Sequence, residues 1–165
     1  MKTLREIESE VTALGQLIGV GPPDLPSYGA SSAFAHPHIE VANGLYHYVI
    51  VEHGEEQERR STERYEDLLY WIFDSVTHNL AFDYELSHRV EDQDCRRIAF
   101  PKQVELMRKI STELGDRLQA QVSEILIQVP YDDEPIRALN RMRRGVYQVG
   151  QKLSRQIFRP KVTEV

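Results

Sequence analysis

Leu45-Tyr46-His47-Tyr48-Val49-Ile50-Val51-Glu52-His53-Gly54 is the stretch on which the fold turns. Its first eight residues are rich in aromatic and β-branched side chains, the composition of a strand, and His53-Gly54 punctuates them. Upstream, Ile39 and Val41 alternate with His38 and Glu40 as far as Asn43-Gly44. Asn-Gly between two alternating runs is a hairpin signal, because both residues tolerate the positive φ of a type I′ turn. A two-residue loop fixes the register. Ala42 faces Leu45, Val41 faces Tyr46, Glu40 faces His47 and Ile39 faces Tyr48. One side of the sheet then carries Ile39, Val41, Tyr46, Tyr48 and Ile50. The other carries Leu45, His47, Val49 and Val51, with Glu40 beside His47. Apolar residues on both sides call for partial cover on both. A second hairpin at His53-Gly54-Glu55 returns Glu56 to Ser61 as a third strand. Its Glu56, Glu58, Arg59 and Arg60 suit an edge, where charge discourages pairing with another chain.

Downstream the period changes from two to 3.6. Thr62 is a candidate cap, and Glu63, Glu66 and Asp67 suit the positive N-terminal end of a helix. At about 100° per residue, Tyr65, Leu69, Ile72, Phe73, Val76 and Leu80 share one side. Leu69, Ile72, Phe73 and Val76 are the expected core, Trp71 is expected to be buried as well, and Leu68, Trp71, Phe82 and Leu86 extend a flank. The remaining strip holds Asp67, Tyr70, Asp74, Thr77, His78, Ala81, Glu85 and His88, and reads as wet. This central helix either breaks near Thr77 to Asn79 or continues to about Val90.

Upstream of the sheet, Leu4, Ile7, Val11, Leu14 and Ile18 are spaced as one helical stripe from about Lys2 to Ile18, closed by Gly19, Gly21, Pro22 and Pro23. Residues 20–37, with four prolines, read as irregular connecting chain tacked down by Tyr28 and Phe34. After the central helix, Glu91 to Asp94 form a polar link. Pro101 suits the first turn of a helix carrying Val104, Leu106, Met107 and Ile110. Ser111 starts another, with Leu114, Leu118, Val122, Ile125, Leu126 and Val129, and Pro130 stops it. A last helix begins at Asp132 or Asp133 with Pro135 in its first turn, and Ile136, Leu139, Met142, Val146, Val149, Leu153 and Ile157 form its stripe. Gly145 and Gly150 weaken it, so packing must hold it. The expected architecture is α+β in a single domain over 1–165: an N-terminal helix, a three-stranded antiparallel meander, a long central helix and a C-terminal helical bundle.

The chain has 165 residues and a formal net charge of -6, unevenly spread. Residues 1–99 hold 18 acids against 8 bases, whereas residues 100–165 hold 8 acids against 12 bases. An acidic front disfavours nucleic acid and favours a basic partner. One cysteine, Cys95, excludes an internal disulfide. The N-terminus has no apolar run of the signal-peptide kind, and no segment approaches the ~18 apolar residues of a membrane span, so the expected compartment is the cytoplasm.

No catalytic constellation emerges. His36-Pro37-His38, with His47, Glu40 and Glu52, is the one candidate metal cluster, and a metal-dependent enzyme is the function class it would bring. Structural zinc usually brings cysteines, and His47 and Glu52 lie on opposite strand faces, so hydrogen-bonded, half-exposed histidines are the better reading. Cys95, between Asp94 and Arg96-Arg97, has no histidine in fixed relation to it and reads as a quiet, partly buried thiol. Gly19-Val20-Gly21-Pro22-Pro23 is no phosphate loop, because prolines remove amides and block a following helix. The last helix carries Arg137, Arg141, Arg143, Arg144, Lys152 and Arg155, with Arg159 and Lys161 beyond. It reads as a solvated face balancing the acidic front rather than a nucleic-acid site.

A string of short motifs resembles a family of bacterial polymorphic-toxin immunity proteins, of the immunity protein 63 kind. They are the tyrosine-rich strand from Tyr46, Glu52-His53-Gly54-Glu55-Glu56, an Arg-x-Thr approach to the helix, Leu68-Leu69-Tyr70-Trp71, and Asp94-Cys95-Arg96-Arg97 followed by Phe100. The likeness covers about Ile39 to Val129. It implies a protein that binds and neutralises a cognate toxin domain made by the same cell, by stoichiometric occlusion, with no cofactor and no turnover. A general adaptor module, dimeric through the last helix, is the competing reading. The binding surface is expected on the wet strip and the turn beside it: Glu55, Glu56, Glu58, Asp67, Tyr70, Asp74 and Glu85. There a tyrosine anchor sits among acids that steer a basic toxin.

Overall fold

The computed structural model describes residues 1–30 and 36–143. The fold is α+β. Helix α1 (Leu4–Gln16) is followed by a 3₁₀ turn (Pro22–Asp24) and strands β1 (Ser27–Tyr28), β2 (His38–Ala42), β3 (Leu45–Glu52) and β4 (Glu55–Thr62). Helices α2 (Tyr65–Ser87), α3 (Arg96–Ile110) and α4 (Thr112–Gln128) complete the named elements, and residues 134–143 are helical.

The β2–β3 hairpin has the register set by its Asn-Gly turn, from Ala42 opposite Leu45 to Ile39 opposite Tyr48. Asn43 and Gly44 have φ of 52° and 78°, the type I′ signature. His53 and Gly54 repeat it at 53° and 81°, so Glu55 is the first residue of β4, opposite Glu52. One irregularity interrupts β3–β4, between Ile50 and Val51. The expected three-stranded antiparallel meander is present as β2–β3–β4, but the sheet is larger than that. It has four strands in the order β1-β2-β3-β4, and β1 runs parallel to β2. Within the proline-rich connection, Ser27 N donates to Pro37 O and Gly29 N to Ile39 O. Two residues carry no periodicity, so the sequence pattern could not mark β1.

Thr3 and Glu6 form a reciprocal capping box that starts α1, and Ile7 and Val11 bury its stripe. Those side chains meet Ile39, Tyr46 and Tyr48 from the sheet, and Leu68, Ile72, Phe73 and Val76 from α2. Phe100, Val104 and Met107 of α3 and Leu114, Leu118 and Val122 of α4 close the same core. The backbone of α2 runs unbroken to Ser87, past the expected break. Thr77 is buried, and its hydroxyl donates to Phe73 O along the helix. Its N-cap is Arg64, not Thr62. The Thr62 hydroxyl accepts from Arg64 N and donates to Asp67, so it organises the turn just before the helix. Leu68 is fully buried while Leu69 and Trp71 are only half-buried against the core, so the buried stripe is rotated from the expected one.

Pro101 lies inside α3, not in its first turn. The helix starts earlier, at Arg96 with Cys95 as its N-cap, and the Asp94 carboxylate just before it accepts from Arg96 N at 3.0 Å. Helix α4 begins where Ser111 accepts from Leu114 N, and it ends ahead of Pro130. The two helices approach closely where Gly115 faces Arg108. A β-carbon on Gly115 would stand 3.0 Å from the Arg108 backbone. The expected last helix is described to residue 143, with Asp132 accepting from Glu134 N. Its continuation, with Gly145, Gly150 and the basic residues from Arg144 onward, lies outside the described residues, as does Phe34. No described helix is long and apolar enough to cross a membrane.

Candidate functional site

The seven residues expected to form one wet, acidic surface fall into two groups. Glu55 and Glu56 are exposed at the β3–β4 hairpin, with Glu58 half-buried one turn of pleat away. Asp67, Tyr70, Asp74 and Glu85 are on α2, but the strip they share is wet only in part: His78 and His88 are exposed, and Asp67 and Asp74 are half-buried. Helix α3 packs across it, with α4 beyond, and Thr77, Ala81, Tyr70 and Glu85 are all buried. The residue pattern carries no sign of this, because a strip of mixed polar and small residues looks solvated until a second helix lies on it. Thr77 and Ala81 are small, which suits close approach.

Each of the four expected site residues on that strip has a side-chain partner. Tyr70 is 5% exposed and its hydroxyl donates to Gln121 of α4. Burial raises the Tyr70 phenol to about 12. Arg117 of α4 stacks on the Tyr70 ring and donates to Asp67 Oδ1 at 2.7 Å, which holds the Asp67 carboxyl below its ordinary range. Asp74 accepts from Gln103 Nε2 of α3 at 3.0 Å, and burial pushes its carboxyl up. Glu85 is 1% exposed and is gripped by both ends of the Arg89 guanidinium at 2.9 and 2.7 Å, which lowers its carboxyl. These four side chains join helices or brace one helix end.

The hairpin is different. Arg59 lies between Glu56, which it meets with two nitrogens, and Glu40 of β2 at 2.8 Å. The two carboxylates raise the guanidinium above its ordinary value, and it lowers theirs. Arg60 is paired with Glu58 at 2.5 Å. At the tip, Glu52 and Glu55 stand directly opposite each other. Like charges in facing positions of a hairpin destabilise it. The one cation in reach of Glu52 is the exposed imidazole of His53 at 3.9 Å when protonated, and no ion pair involves Glu55 among the described residues. The tip is thus an exposed double acid on a rigid two-stranded base.

The histidines are hydrogen-bonded, yet His38 and His47 are buried rather than half-exposed. His36 Nε2 lies 2.7 Å from Leu25 O, His38 Nε2 lies 3.1 Å from Glu40, and His47 Nδ1 lies 2.7 Å from Ser61 Oγ. Among the described residues, no three His, Cys, Asp or Glu side chains are placed to hold a metal ion. Cys95 is a half-buried free thiol at the start of α3.

One cluster escaped the reading of the sequence. Asp94, at the end of the expected polar link, is 6% exposed and is a hub. It accepts from Arg96 Nε and Nη2 and from the amides of Arg96 and Asp132, while its own amide donates to Asp133 at 2.9 Å. Arg96 also donates to the carbonyls of Val129 and Pro130, both at 2.9 Å. Arg97 bonds Asp133 and stacks on the Tyr131 ring. Asp94-x-Arg96-Arg97 therefore ties the start of α3 to the chain leaving α4. The signal was present as a motif, and its role is structural.

No curated protein and no solved structure matches this chain. The family model described as Immunity protein 63 matches residues 42–124. That segment runs from the Asn-Gly hairpin through β4, α2 and α3 into α4, so it takes in the acidic tip and the helices that brace it. Half of the sequence lies within the match, and the chain belongs to the Immunity protein 63 family.

Proposed function

We propose that the protein neutralises a cognate toxin domain in the cytoplasm by binding it one to one and covering its active site, with the β3–β4 hairpin as the contact surface. The observation that carries this reading is the facing pair Glu52 and Glu55 at an exposed tip. The hairpin keeps a repulsive arrangement that a basic partner would relieve. Glu56 and Glu58 extend the acidic surface along β4, partly neutralised by Arg59 and Arg60. Of the expected α2 residues, Tyr70 and Glu85 are buried, while Asp67 and Asp74 are half-buried and bonded to Arg117 and Gln103. Binding of this kind needs no cofactor and no turnover. The toxin is of the class whose binding face is rich in lysine and arginine.

The test is direct. Where a toxin gene lies immediately upstream, its toxin domain is titrated with the wild-type chain and with the double reversal E52K/E55K. The expected result is a one-to-one complex whose Kd rises at least about tenfold in the variant, with a flatter salt dependence. Unchanged affinity and unchanged salt dependence in a folded variant would move the contact surface off the hairpin. A gene neighbourhood without a toxin would favour the adaptor reading, for which the exposure of Leu139 and Met142 on the 134–143 helix is the relevant observation.

A further inference from the structure

The open edge of the sheet points to a second activity of β4. One edge of the sheet is the two-residue β1, while the other is the eight-residue β4, exposed along most of its length and free of proline. In an antiparallel hairpin, residues flanking a two-residue turn form a hydrogen-bonded pair, and bonded and non-bonded pairs then alternate. Counting from Ala42 and Leu45, the backbone groups of Tyr46, Tyr48 and Ile50 turn to β4. They meet Thr62, Arg60 and Glu58. Arg59 and Ser61, opposite Val49 and His47, therefore point their N–H and C=O groups outward, away from the sheet.

The charge order along this edge is self-complementary. Its first half carries Glu55, Glu56 and Glu58, and Arg59 and Arg60 follow. We propose that β4 pairs antiparallel with β4 of a second copy of this chain, joining two sheets into one of eight strands. With Arg59 opposite its own copy, the outward backbone groups bond across the two-fold axis, and Glu58 of each copy faces Arg60 of the other. The two Glu58–Arg60 pairs within the strands, one in each copy, thus exchange for two across the interface. The two Arg59 side chains meet at the axis, each held between Glu40 and Glu56 of its own copy. The next registers that the bonding alternation permits place Glu58 against Glu58 or Arg60 against Arg60 and lose both Glu58–Arg60 cross pairs. Here the one like-charged pair, Arg59 with Arg59, has each guanidinium compensated within its own copy, so charge favours this register. This pairing goes beyond the toxin-binding reading and stands or falls separately from it, because it needs only the isolated chain.

Sedimentation of the purified full chain tests it, with E58R and R60E as variants whose folding is checked by circular dichroism. Wild type is expected to dimerise, and each variant alone to weaken the dimer at least about tenfold, since each places like charges opposite twice. An equimolar mixture of the two variants is expected to dimerise again, because only the mixed pair restores opposite charges at both positions. In the wild type, hydrogen exchange at the Arg59 and Ser61 amides slows as concentration rises. The proposal fails if wild type is monomeric up to about 100 µM. It also fails if either variant dimerises as well as wild type, or if the mixture stays monomeric. Protection of those amides only on addition of the toxin domain would likewise overturn it, giving the edge to the toxin.

Discussion

Arg117 places its guanidinium 3.9 Å from the centroid of the Tyr70 ring while donating to Asp67, so one α4 side chain fastens two successive turns of α2. Arg117→Ala removes a stacked cation and an ion pair that is partly solvent-screened, and is expected to cost about 1 kcal/mol in urea unfolding. Tyr70→Phe, which loses the hydroxyl bond to Gln121, is expected to cost a similar ~1 kcal/mol. Neither change should alter toxin affinity once folding is accounted for.

Asp94 gives the fold a defined acid limit. The Arg96 guanidinium and the amide bonds of Asp132 and Arg96 hold its carboxyl down to about 2. A depressed carboxyl contributes stability that is full above its unfolded value and is lost as pH falls through the folded one. The difference is worth ~2 kcal/mol. Asp94→Asn is therefore expected to lower the unfolding free energy at pH 7 and to remove the part of the acid-induced decline lying between about pH 4 and pH 2. A variant with an unchanged pH profile would show that the knot is not what fails in acid.

Asp74 works in the opposite sense. Burial raises its carboxyl, so the folded state prefers the proton that the unfolded chain releases at lower pH. Stability contributed by the neutral form is lost as pH rises from the ordinary aspartate range through the raised value. Asp74→Asn keeps an oxygen for Gln103 to donate to and carries no charge. It is expected to raise Tm at pH 7 and to make no difference in strong acid, which a pH series of thermal melts would read.

Gly115 and Leu68 test the packing. Gly115→Ala drives a methyl group into the backbone of α3 at Arg108 and is expected to destabilise by ~1–3 kcal/mol. Leu68→Ala, at a fully buried site, is expected to cost ~2–5 kcal/mol, against a smaller loss for half-buried Leu69→Ala. Equal losses at 68 and 69 would contradict the rotation of the helix seen here.

His53 holds a positive φ at an exposed turn position where Asn is the preferred residue before Gly. His53→Asn is expected to stabilise the hairpin by up to ~1 kcal/mol, observable as a higher denaturation midpoint.

The parts of this fold legible in the sequence are those with a local cause. Asn43-Gly44 dictates a turn and, through it, every pair from Ala42–Leu45 to Ile39–Tyr48. Ser111, Pro130 and the α1 stripe mark helix ends and faces for the same reason. What stayed hidden depends on contacts between distant segments. The two residues of β1 are defined only by their partner strand. The burial of Tyr70 and Glu85 is defined only by helices that arrive later in the chain. Asp94 looked like solvent-exposed linker because its bonding partners, Asp132 and Asp133, lie almost 40 residues downstream. The acidic tip was legible as composition, but the opposition of Glu52 to Glu55 emerged only with the turn geometry.

The order of strands in space repeats their order in the chain, and α2, α3 and α4 likewise pack as successive neighbours. Such a topology closes mostly short loops, and the entropy lost before stabilising contacts form is small. The β2–β3–β4 meander can assemble around its two tight turns before the helices dock, with no strand waiting for a remote partner. If the chain meets a toxin as proposed, a short time between synthesis and a competent binding surface counts alongside affinity. A sequential fold of this kind keeps that interval short.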